Sequence, residues 1–238
     1  MKELYLTNCY LKEFEATVEN VKDDKFVILD RTAFYPNSGG QPHDTGMLVK
    51  EEDGTEFPVS YVSKLQGNIS HEVSGPGLKA GDRVKGIIDW DRRHLFMQYH
   101  TACHILSAII HNETGAKISG NQLGEDKTRV DFNLEDFDRE LIKSYEIKVN
   151  EIIDRNLPVS IESMPRGEAL KIPSVVKLMG AFPPEIDEIR IINIPEVDIQ
   201  ACGGTHIANT AEIPHIEIIK AENKGKNNRR VYFRFRED

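Results

Sequence analysis

Four side chains constrain the fold of this 238-residue chain more than any other feature. His100 and His104 stand four residues apart, and Cys202 and His206 repeat that spacing much later. At about 3.6 residues per helical turn, positions i and i+4 project from one face, so two imidazoles on a helix can converge on one ion. The chain around them has a helical pattern from Asp91 to about Asn112. Leu95, Phe96, Tyr99, Cys103, Leu106, Ile109 and Ile110 mark its apolar side, Asp91 sits in the first turn or caps it, and Gly115 follows its end. Cys202 and His206 lie instead between two strand-like runs, where Gly203 and Gly204 allow a tight backbone. Three histidines and a cysteine match a tetrahedral zinc set in number and type, one ion per chain. His94 falls on the opposite side of the helix, and His111 lies about 10 Å along the axis from His104, so neither fits the same sphere. Taken singly, each pair has an ordinary structural explanation. Taken together, they demand a fold that carries a distant loop onto the helix. How tightly His206 binds decides whether such a metal is closed or keeps an open position for chemistry.

Composition narrows the class. The chain is 39% apolar and 29% charged, as expected for a globular protein. No apolar run approaches the roughly 20 residues that span a bilayer, so no membrane partner is expected. The start, MKELYLTNCY, lacks an apolar signal core, and a cytoplasmic location is the default expectation. The three cysteines, Cys9, Cys103 and Cys202, are odd in number and widely spaced, which argues against a disulfide framework. A net charge of −9 argues against a generic nucleic-acid coat and against DNA as a partner. Cations nevertheless gather near the C-terminus at Lys220, Lys224, Lys226, Arg229, Arg230, Arg234 and Arg236, interleaved with Tyr232, Phe233 and Phe235. The cluster reads first as a solvated hairpin and second as an RNA contact.

The chain divides near residue 90. Before it, short β-branched or alternating runs recur at Lys25 to Leu29, Gly46 to Val49, Glu56 to Val62, Asn68 to Val73 and Val84 to Trp90, with turn signals between them. That spacing predicts a small β-barrel over residues 1–90. After it, residues 91–238 predict a mixed helix-and-sheet domain. A second helix is expected from Leu134 to Arg155 and a short one within Pro165 to Ala181. Strands are expected at Ala116 to Gly120, Thr128 to Asn133, Val159 to Met164, Glu188 to Ile194, Val197 to Ile199, His215 to Ala221 and Arg229 to Phe235. The fold class is therefore α+β, with the barrel expected to pack on the second domain because no floppy linker separates them.

One further run stands out: Phe34-Tyr35-Pro36-Asn37-Ser38-Gly39-Gly40-Gln41-Pro42-His43-Asp44-Thr45-Gly46. It lacks the order of a phosphate-binding loop, and no helix follows it. With HxxxH at His100 and His104 and CGGTH at Cys202 to His206, it completes a motif order that resembles the editing region of alanyl-tRNA synthetase. In length, the chain is similar to the free-standing alanyl-tRNA editing proteins, the AlaX family, of medium-length type. The resemblance covers nearly the whole chain.

That resemblance implies an editing domain like those of threonyl- and alanyl-tRNA synthetases, and hydrolysis of the ester joining serine, or in some members glycine, to tRNA for alanine. An alanine pocket excludes neither amino acid well, so a second, hydrolytic site is needed. It also implies His100, His104 and Cys202 as zinc ligands, with His206 as the fourth. Water would attack the ester carbonyl, with no Asp or Glu beside the ligand motifs as an evident base. Two departures put the serine reader in question: Cys103 stands where the synthetase form often has Thr, and Ser119-Gly120-Asn121-Gln122-Leu123-Gly124 replaces its Gln-Lys-Gly-Ser run. Asn121, Gln122, Thr128 and Thr205 are candidates to contact substrate, and Gly39, Gly40 and Gln41 to contact the tRNA end or pack structurally. The rival readings are a tRNA-binding module with structural zinc and a zinc hydrolase of another small ester or amide. Against the last, Thr101 occupies the place where an HExxH helix carries its glutamate.

Overall fold

The structure is a computed structural model that describes residues 1–65, 67–134, 139–172, 175, 187–225 and 227–237. It divides into two compact units, Met1–Phe96 and Met97–Asp238.

The first unit is built on a closed barrel. Its strands are β2 (Glu13–Lys22), β3 (Phe26–Leu29), β5 (Gly46–Lys50), β6 (Glu56–Leu65), β7 (Asn68–Val73) and β8 (Arg83–Ile88), in the order β2-β3-β7-β6-β5-β8. A small parallel pair, β1 (Lys2–Glu3) with β4 (Arg31–Thr32), lies beside it in the chain. Alternation fills the interior: Phe14, Ala16 and Val18 from β2 join Val27, Leu29, Leu48, Phe57, Val62, Ile69 and Val84 in one core. β2 is a ten-residue strand absent from the expected set. Its outward positions include Glu13, Glu15 and Glu19, and its inward set includes a small alanine, so its apolar signal was weak. His71 is fully buried in this core, accepting at Nε2 from Thr32 Oγ1 (2.8 Å) and donating from Nδ1 to the Val27 carbonyl (3.0 Å). Burial, only partly offset by the hydrogen bond to the Val27 carbonyl, lowers its pKa to about 4.

The strand expected to reach Trp90 stops at Ile88, and helix α1 (Trp90–Thr114) begins at Trp90. Asp89 is the reason: its Oδ1 accepts from Arg92 N at 3.3 Å and satisfies a helix-start amide. Asp91 lies in the first turn.

The glycine-rich segment is held by side chains of the same unit. Ser38 and Gln41 exchange backbone hydrogen bonds at 3.1 and 2.9 Å across Gly39 and Gly40, both with positive φ. That is a two-residue hairpin turn of the kind that requires glycine-like backbone at both positions. Gln41 is buried. Asp44 accepts from Tyr35 N (2.6 Å) and from Arg93 Nε (2.9 Å), and Arg93 also donates to the carbonyls of Cys9 and Ala33.

The second unit contains the rest of α1, two sheets and α2 (Arg139–Asp154). The four-stranded sheet runs β14 (Ile216–Asn223), β15 (Arg229–Phe235), β10 (Thr128–Phe132), β9 (Ile118–Gln122). Tyr99 of α1 stacks on Phe235 with centroids 4.0 Å apart. Asn150 of α2 bonds both the amide and the carbonyl of Ile216. The three-stranded sheet is β11 (Ser160–Pro165), β12 (Glu188–Ile194), β13 (Asp198–Ala201), all antiparallel. Ile189, Ile191, Ile199 and Ala201 pack with Ala169 and Val175 in a second apolar cluster. The short helix α3 (Arg166–Ala169) follows β11. The remainder of the helix expected to Ala181 lies mostly outside the described residues, as do residues 135–138 of the expected second helix.

Candidate metal centre

Helix α1 presents His100 and His104 one turn apart, with ring centroids separated by 5.4 Å. The loop after β13 brings in the other pair. His206 stands 4.4 Å from the His100 ring and 4.6 Å from the His104 ring, centroid to centroid. Cys202 Sγ lies 3.5 Å from His100 Nε2 and 3.4 Å from His206 Nε2. One ligand atom from each of the four residues falls within 4.8 Å of all the others. Tetrahedral zinc, with bonds of about 2.0–2.3 Å, sets neighbouring donor atoms roughly 3.3–3.8 Å apart; the two Cys202 distances match that size, the donor set as a whole is somewhat wider, and its ligand chemistry suits zinc. The group can hold a metal ion.

Two histidine tautomers follow from outer hydrogen bonds. His104 Nδ1 is 2.8 Å from Asp198 Oδ2, and a carboxylate can only accept, so Nδ1 carries the proton and Nε2 is the nitrogen left to face a metal once its own proton is displaced. The Thr101 hydroxyl donates to the Met97 carbonyl (2.9 Å) and must accept from His206 Nδ1 (3.1 Å). His206 Nε2 is then free of hydrogen and turned toward Cys202. Helix residue Thr101, where a metalloprotease helix carries glutamate, thus orients a candidate ligand.

The electrostatics suit a cation. Burial on its own would raise the Cys202 thiol pKa, but the His100 and His206 rings and hydrogen bonds from His100 and His104 reverse it, leaving it well below the ordinary thiol value. Burial, then the His100 charge, lowers His206 well below its ordinary value, keeping the imidazole neutral. Burial also lowers His104, yet the Asp198 and Cys202 interactions outweigh it and raise it to about 9. A bound cation would displace that extra proton, as metal ligation generally does. Burial holds the Cys103 thiol well above its ordinary value, so it stays protonated and inert at neutral pH.

The Cys202 loop is fastened by its backbone. Cys202 N donates to the Arg190 carbonyl (3.1 Å), Arg190 Nη1 donates to the Cys202 carbonyl (2.6 Å), and Gly204 N reaches Cys202 Sγ (3.3 Å). Gly203 is exposed, its φ lies outside the left-handed region, and a Cβ there would meet nothing within 4 Å. The loop therefore does not need glycine at 203 for its backbone; the residue leaves open space beside Cys202.

The other sequence-derived candidates are dispersed. Thr205 is buried next to His206. Thr128 is fully buried on β10 opposite Phe233, and its hydroxyl has no hydrogen-bond partner among the described residues. Asn121 and Gln122 lie on edge strand β9, where Gln122 accepts from Arg129 Nε (3.2 Å). Gly39, Gly40 and Gln41 belong to the first unit. Five cations of the basic C-terminal cluster are paired with carboxylates: Arg230 with Asp131, Arg234 with Glu217, Arg236 with Glu146, and Lys220 and Lys224 with Glu222, whereas Arg229 donates to Asn223 Oδ1 and to the carbonyls of Gly225 and Asn228. Lys226 lies outside the described residues. The sequence reading missed Asp198, Thr101 and Arg190.

Among the described residues no helix is long and apolar enough to cross a membrane. Residues 189–232, which include Cys202 and His206, match the family model "Threonyl and Alanyl tRNA synthetase second additional domain". Residues 5–92 match "tRNA synthetases class II (A)". Fold and site thus place the chain in the class of synthetase-type editing proteins. The chain is 56% identical to an alanyl-tRNA editing protein AlaX-M of Methanosarcina barkeri over 97% of each chain. It is 45% identical to one of Saccharolobus solfataricus over 98% of each. It is also 40% identical to the alanine–tRNA ligase of Pyrococcus furiosus, with 98% of this chain matching 25% of the ligase. The chain belongs to the AlaX-M family of alanyl-tRNA editing proteins.

Proposed function

We propose that this chain is a zinc-dependent aminoacyl-tRNA deacylase that acts in trans on tRNA for alanine carrying serine, with glycine as a second candidate substrate. The observation that carries this reading is the cluster of buried His100, His104 and His206 with half-buried Cys202, within a chain aligned over nearly its whole length with alanyl-tRNA editing proteins. The reaction adds water to the ester carbonyl. A bond forms from the water oxygen to carbon, the bond to the ribose oxygen breaks, and that oxygen takes up a proton. Zinc bound by the four residues would supply positive charge at the reacting ester. The protein's own part is to fix the ligands through Asp198 and Thr101, keep Cys202 as thiolate, and leave space at Gly203 for the aminoacyl end. Asp198 is engaged by His104, so it orients a ligand rather than activating water. Thr205, Thr128, Asn121 and Gln122 are proposed contacts for the aminoacyl-adenosine end, and Gly39, Gly40 and Gln41 for the tRNA.

A second reading is favoured by the ligand count itself. Four protein ligands complete a tetrahedral set, as in structural zinc sites. The chain would then bind tRNA without turnover. One experiment separates the two: incubation of zinc-loaded protein with serine-, glycine- and alanine-charged tRNA for alanine. Rapid loss of the serine ester with the alanine ester spared is expected. Survival of every ester at full zinc occupancy would overturn the deacylase reading.

A further inference from the structure

Strand β13 and the residue after it read Asp198-Ile199-Gln200-Ala201-Cys202. Side chains alternate along a strand, so Asp198, Gln200 and Cys202 share one face. The two ends of that row touch the ligand cluster: Asp198 reaches His104 and Cys202 reaches His100. Ile199 and Ala201 go to the other side, into the cluster with Ile189 and Ile191. Gln200 therefore lies between two residues that meet α1 at consecutive turns. It is 6% exposed, and its Oε1 has no hydrogen-bond partner among the described residues.

A buried acceptor without a partner is costly, and its cost is relieved by a bound group that brings a donor. Gln200 differs in this from Thr128, whose unpartnered hydroxyl lies on β10 opposite Phe233 and not on the strand that carries Asp198 and leads to Cys202. A carboxamide is neutral, so it suits a neutral donor such as an alcohol better than an ammonium group, which calls for a carboxylate or several acceptors.

We infer that Gln200 is a specificity-determining residue: its carboxamide oxygen accepts the side-chain hydroxyl proton of a seryl group held beside the metal-ligand cluster. This deepens the proposed deacylase reading and rests on it for the identity of the ligand. The inference explains how a site can favour serine over alanine, which differ only in that hydroxyl. A site with a buried group left unpaired by the smaller ligand discriminates more strongly than one relying on shape.

The test uses binding, so it does not depend on turnover. The probes are 3′-amino-3′-deoxyadenosine carrying serine or alanine through an amide, titrated against the zinc-loaded full chain by calorimetry. The wild-type protein is expected to bind the seryl amide about 10- to 100-fold more tightly than the alanyl amide, the range of one hydrogen bond to a buried acceptor. Gln200→Met removes the acceptor at similar volume and should reduce that preference to less than about threefold, by weakening the seryl amide alone. Gln200→Glu keeps an acceptor and should retain most of the preference. Zinc content confirms that each variant keeps its site. The inference is overturned by a wild type with no seryl preference, by a Gln200→Met variant that keeps it, or by equal weakening of both amides. Correct seryl preference without hydrolysis of charged tRNA would overturn the deacylase reading and leave this inference standing.

Discussion

Asp198 accepts a hydrogen bond from His104 Nδ1 at 2.8 Å, and both side chains are buried, at 3% and 4% exposure. The contact fixes which imidazole nitrogen faces Cys202 and raises the basicity of that nitrogen. Loss of such an outer partner commonly weakens metal binding by about 10- to 100-fold. Asp198→Asn is expected to weaken zinc within that range while the fold persists, because the amide is isosteric. Competition with a fluorescent chelator measures it, and an unchanged affinity would remove Asp198 from the metal site.

Cys202 is the single sulfur donor among the four candidate ligands, and its substitution would leave three imidazoles to hold an ion. Cys202→Ala is expected to lower bound zinc well below one per chain after dialysis, measured by atomic absorption. Chelation of the wild type should lower its thermal midpoint, since an ion present at about 1,000 times its Kd stabilises the folded state by roughly 4 kcal/mol. Full zinc content in the variant would show that Cys202 is not an essential ligand.

Arg93 and Asp44 form an ion pair in which neither side chain is exposed to solvent. Removing one partner leaves a buried charge alone, which typically costs about 3–5 kcal/mol, whereas replacing both with apolar residues is often near neutral. Asp44→Ala is therefore expected to lose several kcal/mol in urea unfolding, and Arg93→Met with Asp44→Leu to regain much of it. A double variant as unstable as the single one would mean that the backbone contacts of Arg93 and Asp44 outweigh their charges.

His71 titrates near pH 4 in the folded protein, against about 6.5 in the unfolded chain. Between those values the unfolded chain binds a proton that the folded one refuses, so stability falls as the pH drops. The neutral ring's advantage is fully present above about pH 6.5 and is lost on approach to pH 4, amounting to about 3 kcal/mol. Replacing His71 with Gln should flatten that part of the stability profile. If wild type and variant keep parallel slopes between pH 6.5 and 4, His71 is not the group responsible.

Lys220, Arg230, Arg234 and Arg236 near the C-terminus are engaged with Glu222, Asp131, Glu217 and Glu146. A cation already neutralised by a carboxylate releases fewer counterions on meeting phosphate, so it adds little to the salt dependence of RNA binding. Lys220→Ala with Arg234→Ala is expected to leave the slope of log affinity for tRNA against log salt nearly unchanged. A fall of about one per removed charge would establish direct phosphate contacts.

Much of the architecture was legible in the chain. Short strands with turn signals announced the barrel, and a sustained apolar stripe announced α1. Strand β2 escaped because its exposed glutamates and small inward Ala16 blur the alternation. Asp198 and Gln200 were legible in principle, since they alternate with Ile199 and Ala201 up to Cys202, a period of two that places a polar row on one face. They went unread because short-range pattern says which residues share a face, not what that face meets.

Residue type and spacing alone singled out the four candidate ligands: two histidines one helical turn apart, and a cysteine and histidine at the same interval in a glycine-bearing loop. Only the tertiary structure decided that these pairs meet, that Thr101 and Asp198 set the tautomers of His206 and His104, and that Gln200 is buried between Asp198 and Cys202. Local spacing follows from bond geometry, which a short segment carries within itself. Convergence of segments far apart in the chain depends on how strand β13 and helix α1 pack, and the hydrogen bonds that tune each ligand exist only after that packing has brought their partners together.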